Sequence, residues 1–215
     1  MSTRCGIVLS VFCSLLILAG CASPAPAATP AVTPATPAPA PIPVTRCALP
    51  PLATPTRPAR IPDYLELDPD TNLHMTGNVQ QIDVASYRLV VTGLVDRPLS
   101  LTYDDLRCLP KRQVRTLLEC PGFFQDTASW AGAPLDVVLL MAGVQQAGRE
   151  VRLVSADGYV TDLPLSDITA ERDYLLAYEW EGQPLPILHG FPVRAVLPER
   201  GGGSWVKWLV ALEVK

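Results

Sequence analysis

Residues 181–208 read EGQPLPILHGFPVRAVLPERGGGSWVKW and bring a histidine, cationic side chains and three successive glycines close together in the chain. The glycines at 201–203 let the backbone approach a ligand closely and turn several N–H groups toward one point. Arg194 and Lys207 lie on the flanking apolar runs and can neutralise a bound anion such as phosphate. The alternative is a flexible hairpin loop, because a glycine run between two strands is common. Residue types alone do not choose between the two interpretations.

Outward from this stretch, apolar and β-branched runs alternate with short helical patterns. Thr102 and Asp105 have the spacing of a capping box, which predicts a short helix that Pro110 stops. Pro134 suits the first turn of a second helix, which Gly143 ends. Strands are predicted at 87–95, 114–118, 151–154, 174–178, 191–197 and 206–214. Because strands outnumber helices, the sequence predicts a mixed, strand-rich α+β domain.

Five segments, in chain order, resemble the molybdopterin-binding domain of the sulfite oxidase family. They are PLSLTYDDLRCLP at 98–110, LLECPG at 117–122, SWAGAPLDVVLLMAGV at 129–144, SADGY at 155–159, and HGFPVR at 189–194 together with VKWL at 206–209. The resemblance covers residues 72–215 and implies a sulfite oxidase-like fold. It also implies a molybdopterin-dependent oxidoreductase with a molybdenum–molybdopterin cofactor.

Cys120 ends a strand-like run and is followed at once by Pro121 and Gly122, which place it at a turn. A lone cysteine is usually a small buried hydrophobe. In the resembled family, the one protein ligand to molybdenum is a cysteine at this place, so the resemblance implies that Cys120 is the metal ligand and catalytic residue. A thiolate suits a metal already held by the dithiolene sulfurs of the pterin, and it helps to tune the redox potential.

The same resemblance implies a set of cofactor-binding residues: His189, Arg194, Gly202, Gly203, Ser204, Lys207 and Asn78. Arg194 would offer a forked donor to the phosphate of the pterin. His74 fits the family's pattern of polar residues near the cofactor more loosely. The alternative for His189 is a structural histidine whose hydrogen bonds are satisfied inside the protein. Trp205 and Trp208 are expected to pack in the core or at its rim, and not to act in catalysis.

Two departures from the family concern the substrate. Sulfite oxidases have Cys-x-Gly-Asn followed by arginines, whereas in this chain Phe123 and Phe124 follow the Cys120 turn. Ser129 stands where those enzymes carry an arginine that helps to hold the sulfite anion. We therefore expect oxygen-atom transfer at molybdenum on a less charged substrate than sulfite, in a pocket lined by Phe123 and Phe124.

The N-terminal third has the pattern of an export and tethering device. Arg4 precedes an apolar run at 7–18, and Leu18-Ala19-Gly20 precede Cys21 as in bacterial lipoprotein signals. We expect residues 1–20 to be a signal peptide, Cys21 to be lipidated, and the domain at 63–215 to be extracytoplasmic, anchored to the bacterial cell membrane. The alternative is a short uncleaved anchor helix. Residues 21–62, rich in Pro, Ala and Thr, predict an extended linker.

The leader favours a second function. It contains no arginine pair, and family members that act outside the cytoplasm generally leave it folded, with their cofactor, by the twin-arginine route. Either the leader is an atypical twin-arginine signal, or the domain keeps the fold without the cofactor; a cofactor-free surface lipoprotein binding module on the same fold is therefore the alternative. The presence of Cys120, Arg194 and Lys207 favours the oxidoreductase.

The net charge and the number of cysteines argue against two further classes of protein, nucleic-acid-binding proteins and disulfide scaffolds. The net charge of −4 comes with no basic patch, so we expect no nucleic-acid partner. With Cys21 lipidated and two cysteines in the leader, only Cys47, Cys108 and Cys120 can act as thiols, too few for a disulfide scaffold. If Cys47 pairs with Cys108 in an oxidising compartment, Cys120 is left free.

The sequence contains no motif for an electron-accepting group of its own. The chain has no haem or iron–sulfur pattern, so the expected partners are a small-molecule substrate and a separate redox protein such as a cytochrome. It also lacks the cysteine and histidine spacing of a zinc site and a dinucleotide-binding fingerprint. No acid and histidine with a plausible partner pattern follow Ser204, so a serine hydrolase is not expected.

Overall fold

A computed structural model describes residues 47–51 and 53–215 of this chain. The predicted signal peptide, the lipidated Cys21 and most of the predicted linker lie outside the described residues. Within the described ranges, no helix is long and apolar enough to cross a membrane.

Short elements, mostly strands, follow one another along the described chain. They are β1 Leu67–Asp68, β2 Leu73–His74, β3 Leu89–Gly93, β4 Leu99–Leu101, α1 Tyr103–Cys108, β5 Arg112–Cys120, β6 Phe124–Pro134, α2 Leu135–Ala142, β7 Glu150–Ser155, β8 Val160–Pro164, β9 Leu175–Trp180, β10 Gln183–Pro184, β11 Arg194–Val196 and β12 Leu209–Val214. The prediction of a mixed, strand-rich α+β fold is confirmed.

The strands form two larger sheets and one small hairpin. One sheet has the order β4-β3-β12-β7-β8, in which β3 and β12 are parallel and the other neighbours are antiparallel. The other has the order β10-β9-β6-β5, with β11 also paired to β9. In β7, Val151, Leu153 and Ser155 are buried while the residues between them are partly exposed. This alternation turns one face of the strand into the shared hydrophobic core.

Both helices begin and end where their local sequence predicts. Thr102 and Asp105 form a reciprocal capping box, with Asp105 N donating to Thr102 Oγ1 at 3.0 Å. Pro134 precedes the first residue of α2, and Gly143 ends the helix in the left-handed conformation at φ 68°. These local signals depend on backbone geometry within a few residues, so they can be read without knowledge of the fold.

The strand predictions are wrong at several boundaries. Of the predicted strand at 191–197, only Arg194–Val196 is a strand, and the last strand starts at Leu209 instead of residue 206. Strand β6, Phe124–Pro134, was not predicted at all. Its inward-facing positions include the buried carboxylate of Asp126, and this breaks the apolar alternation that marks a strand in sequence.

A disulfide and a hydrogen bond link the start of the described chain to α1. Cys47 and Cys108 form a disulfide, in agreement with the pairing considered from cysteine usage, and Cys120 is the free cysteine of the described residues. Arg107 Nη2 also donates to the carbonyl oxygen of Pro50 at 2.9 Å. Residues that the sequence assigned to the linker therefore contact the domain.

Candidate functional site

A cavity of about 520 Å³ is lined by residues from both large sheets and from the loops at 76–78 and 202–208. Its wall includes Cys120, Asn78, Arg194, Gly202, Gly203 and Lys207. The structure therefore brings together most of the residues that the sequence assigned to the cofactor. Ser204 and His189 are not among the lining residues.

The two phenylalanines after the Cys120 turn face different environments. Phe124 lines the cavity, whereas Phe123 is 73% exposed and is not among the lining residues. The expectation that both rings line the pocket is therefore wrong for Phe123. Phe123 N donates to Cys120 O at 3.0 Å, so Phe123 belongs to the tight β5–β6 turn, whereas Phe124 is the first residue of β6.

Cys120 is the last residue of β5 and pairs with Phe124, the first residue of β6. Gly202 lies against its sulfur, because a Cβ atom built on Gly202 would collide with Cys120 Sγ. Burial and the nearby carboxylate of Asp126 raise the pKa of the Cys120 thiol, and Lys207 opposes them. A bound metal cation would reverse this balance and favour the thiolate.

Arg194 and Lys207 form a buried cation pair at the inner wall of the cavity. Arg194 is 2% exposed, its Nη1 donates to the carbonyl oxygen of His189 at 3.1 Å, and its guanidinium carbon lies 4.5 Å from the ring centroid of Trp130. Lys207 Nζ donates to the carbonyl oxygens of Thr76 and Leu188, at 3.0 and 3.2 Å. Neither cation has a carboxylate partner among the residues that the structure describes.

The pKa values of both cations reflect their burial without a paired carboxylate among the described residues. Burial, with the neighbouring Arg194, lowers the pKa of Lys207 to about 7. Burial also lowers the pKa of Arg194, to about 9. An anion bound in the cavity would reverse both shifts, because an opposite charge nearby favours the charged form.

His189 lies behind the cation pair and ends the 3-10 helix Ile187–His189. Its Nε2 lies 2.8 Å from Asp68 Oδ2 and 2.9 Å from Thr71 Oγ1, and the residue is 1% exposed. Thr71 Oγ1 also donates to Asp68, so a neutral His189 that donates from Nε2 fits both contacts. Burial and the adjacent Lys207 lower the pKa of His189, which favours this neutral form.

Steric crowding requires a glycine at position 190, directly after His189. Gly190 has φ +112°, and a Cβ atom there would lie 3.0 Å from Arg194 Cβ and 3.3 Å from Lys207 Cα. A side chain at 190 would be strained and would press on both cations. The HG pair of the motif therefore allows the imidazole and the two cations to pack together.

The remaining aromatic predictions agree with the structure. Trp205 and Trp208 are 4% and 0% exposed, and each also contributes to the cavity wall. The glycine loop between them and β11 is tied to the β7–β8 turn, because the hydroxyl of Tyr159 donates to the carbonyl of Gly203. The loop is therefore held from both sheets.

Sequence reasoning missed three acceptors and one contact of the site. Asp68 and Thr71 bind His189, and Asp126 binds His74, whose ring stacks on Phe124. Asp68, Thr71 and His74 come from the β1–β2 hairpin. No spacing rule connects this hairpin to residues more than 50 positions away, so only their position in the fold shows the contacts.

The cavity fits a ligand with an anionic group and a metal-binding group. Arg194 Nε is buried and has no hydrogen-bond partner in the described part of the chain, and the two cations share one wall with the glycine loop. These are the features of a phosphate site. The described residues contain no group of three His, Cys, Asp or Glu side chains able to hold a metal ion. A metal at Cys120 would thus take further ligands from the bound group, as the dithiolene of molybdopterin supplies them.

Comparison with known proteins gives the family. The model of the family "oxidoreductase molybdopterin binding domain" matches residues 76–215. The uncharacterized oxidoreductase YuiH of Bacillus subtilis is 34% identical over 140 residues, which are 64% of this chain and 70% of that protein. Mitochondrial sulfite oxidase of Mus musculus is 36% identical over 166 residues, 64% of this chain but 30% of that protein.

A solved structure has the same fold. The sulfane dehydrogenase SoxCD from Paracoccus pantotrophus matches with a TM-score of 0.60 and 28% sequence identity, over 63% of this chain and 40% of that one. This chain therefore spans less than half the length of the sulfite oxidase and SoxCD chains that it matches. The chain belongs to the oxidoreductase molybdopterin-binding domain family, with the strand-rich fold of the sulfite oxidase type and molybdenum–molybdopterin as the cofactor that this membership implies.

Proposed function

We propose that this chain is an extracytoplasmic oxidoreductase that transfers an oxygen atom at molybdenum on a small, weakly charged substrate other than sulfite. One observation carries the proposal. The Cys120 thiol, the glycine loop and two buried cations line one cavity, and neither cation has a carboxylate partner within residues 47–51 and 53–215. A thiol ligand and an anion site in the same wall are what a metal–pterin phosphate cofactor requires.

Each residue of the wall has a distinct task. Cys120 holds the metal through its sulfur. Arg194 and Lys207 bind and neutralise the phosphate, and Gly202, which has no side chain, allows the loop to pack against the sulfur of Cys120. When bound, the cofactor supplies two-electron redox chemistry at molybdenum. Trp205 and Trp208 exclude water from one side of the cavity.

The substrate proposal is supported by the apolar side of the cavity. Phe124 lines the wall next to Cys120, and Tyr64 and Tyr159 line it as well. Ser129 offers no charge where the sulfite oxidases carry an arginine. Sulfite turnover at millimolar concentration tests this part of the proposal, and robust activity would contradict it.

The location and the partner are also proposals. The Leu18-Ala19-Gly20-Cys21 pattern supports a lipid anchor at Cys21 and a position outside the cytoplasm. Electrons would leave singly to a separate redox protein such as a cytochrome, since the sequence has no haem-attachment motif. Labelling with radioactive palmitate, in the wild-type chain and in Cys21→Ala, tests the anchor. Label that persists in the variant would contradict lipidation at Cys21.

A cofactor-free binding module is the second candidate. The leader without an arginine pair favours it, because a chain exported unfolded does not carry a buried cofactor with it. In this case the cavity would bind an anionic small molecule, and Cys120 would have no metal ligand role.

Metal analysis of protein from the membrane fraction of its native host separates the two candidates. We expect near-stoichiometric molybdenum, together with pterin fluorescence after oxidation, and both lost or reduced in Cys120→Ala. Native protein without molybdenum and without pterin would support the binding module instead.

Two adjacent glycines provide a matched control for the same measurement. A Cβ atom at Gly202 collides with Cys120 Sγ, whereas at Gly203 the nearest atom is the Tyr159 hydroxyl at 3.8 Å. We expect Gly202→Ala to lower the molybdenum content strongly and Gly203→Ala to leave it close to that of the wild type. Equal losses in both variants would contradict the close packing of the loop on the metal ligand.

A further inference from the structure

The β1–β2 hairpin places a histidine from outside the matched family domain against Phe124, a residue of the cavity wall. The family model begins at residue 76, and His74 is the last residue of β2. Asp126 holds this histidine through both carboxylate oxygens. Oδ2 accepts from the His74 backbone N–H at 2.8 Å, and Oδ1 lies 2.7 Å from the ring Nδ1.

The imidazole of His74 lies flat on the ring of Phe124. The ring centroids are 4.5 Å apart and the planes differ by 15°. Phe124 and Asp126 are two residues apart on β6, so their side chains leave the strand on the same face. One carboxylate therefore orients the imidazole, and the imidazole covers one face of the phenyl ring.

On its other side, Phe124 lies next to Cys120 and the cavity. Phe124 pairs directly with Cys120 across the β5–β6 hairpin and lines the same cavity. It also borders a small space of about 10 Å³ that His74, Asp126, Arg194 and Lys207 line as well. A rotation of this ring would change the opening through which a molecule reaches the sulfur of Cys120.

We propose that His74, oriented by Asp126, is a positioning residue that fixes the ring of Phe124 and thereby sets the width of the approach to Cys120. As a statement about substrate, the proposal rests on the proposed function. The orientation of Phe124 in the cavity wall can also be tested in the chain without its cofactor, because the thiol of Cys120 is then open to reagents.

A purely structural role for His74 makes a different prediction. The His74 side chain is 27% exposed, so it covers the core only in part. A filler residue would tolerate any side chain of similar volume, and its loss would not depend on whether Phe124 is present. A positioning residue acts through Phe124, so its loss has no further effect once the ring is gone.

The test compares two thiol reagents on full-length chain made in a host that cannot synthesise molybdopterin. The alkylation rates of Cys120 with N-ethylmaleimide and with the much larger N-pyrenylmaleimide are measured by mass spectrometry. Their ratio reports the width of the approach, because a change in the pKa of the thiol affects both rates alike and cancels.

The variants separate the hydrogen bond from the stacked ring. His74→Asn keeps a side-chain donor and loses the ring, while His74→Phe keeps a ring and loses the side-chain hydrogen bond to Asp126. We expect His74→Asn to reduce the preference for the small reagent about two- to tenfold, the shift that loss of a stacked aromatic pair gives to an orientational equilibrium. His74→Phe should restore most of the preference, and Phe124→Leu should reduce it as much as His74→Asn does.

The double variant decides the outcome. His74→Asn in the Phe124→Leu background should change the ratio no further, and Asp70→Asn, on the exposed turn of the same hairpin, should leave it at the wild-type value. Independent, multiplying effects of the two substitutions would overturn the proposal, as would an unchanged ratio in His74→Asn. Molybdenum content, measured separately on the same variants from the native host, shows whether the proposed function itself holds.

Discussion

The two imidazole–carboxylate pairs of the β1–β2 hairpin use the same residue types in opposite directions. In one, the hairpin supplies the carboxylate, Asp68, to His189 of the domain. In the other, it supplies the imidazole, His74, to Asp126. The side chains of the first pair are 4% and 1% exposed, whereas those of the second are 6% for Asp126 and 27% for His74.

This difference in burial separates what each pair does. The Asp68–His189 pair lies next to Arg194 and Lys207, where an unpaired polar group is costly, so its main effect is on stability. The His74–Asp126 pair is partly open to solvent, and its imidazole stacks on Phe124, which lines the cavity. Its main effect is therefore on the shape of the cavity. Four predictions test this contrast, in decreasing order of expected effect.

Removal of the buried carboxylate should have the largest effect. Asp68→Ala leaves Thr71 and the Nε2 of His189 without their acceptor in a water-excluded place. We expect a loss of about 3 kcal/mol in the free energy of unfolding, typical of a broken buried pair. Urea unfolding measures it. Asp70→Ala, at the exposed neighbouring position, should change stability by less than about 0.5 kcal/mol, and similar losses in both would contradict the contrast.

The buried pair should also make stability depend on pH. The pKa of His189 is lowered in the folded state, by burial and by Lys207, from its ordinary value of 6.5. The unfolded chain thus binds an extra proton below that value, and stability falls as pH falls from 7 to 5, by at most about 1.4 kcal/mol per pH unit. The lowered pKa of Asp68 acts only below its ordinary value of 3.8. Unfolding measured at several pH values in wild type and His189→Asn should show the steeper fall in the wild type.

Asp126→Ala should have an intermediate effect. Both of its carboxylate oxygens bind His74, and its charge also favours the protonated forms of Arg194 and Lys207. We expect about 1.5 kcal/mol of destabilisation, less than for Asp68, because water can reach the freed donors of His74. Thermal unfolding compares the two variants, and a larger loss for Asp126 would reverse the proposed order.

His74→Ala should have the smallest effect on stability. The side chain is partly exposed, so we expect a loss of about 1 kcal/mol or less from its hydrogen bond and its stack on Phe124. Urea unfolding measures this loss beside that of Asp68→Ala. A loss equal to that of Asp68→Ala would show that the hairpin is one structural unit and that burial does not distinguish its two pairs.

Local signals in the sequence predicted the features that depend on a few neighbouring residues. The capping box at Thr102, the helix end at Gly143 and the turn after Cys120 are all present. The signals failed where a long-range contact overrides the local pattern. Asp126 faces inward because His74 binds it, and this hid strand β6. Phe123 faces outward because of the geometry of the β5–β6 turn, although its residue type favours burial.

By itself, the sequence determined the α+β class and singled out the cysteine, the two cations and the glycine loop that line the cavity. These follow from residue types and short spacings, and for the cofactor from resemblance to a family. The sequence left the pairing of Cys47 with Cys108 as one possibility, and the disulfide is seen in the structure. Only the tertiary structure decided which charges share a wall and which groups hold them. Asp68 and His189 are 121 positions apart, and His74 and Asp126 are 52 apart. Such contacts arise when sheets pack around a common core, and no local preference of the chain encodes them.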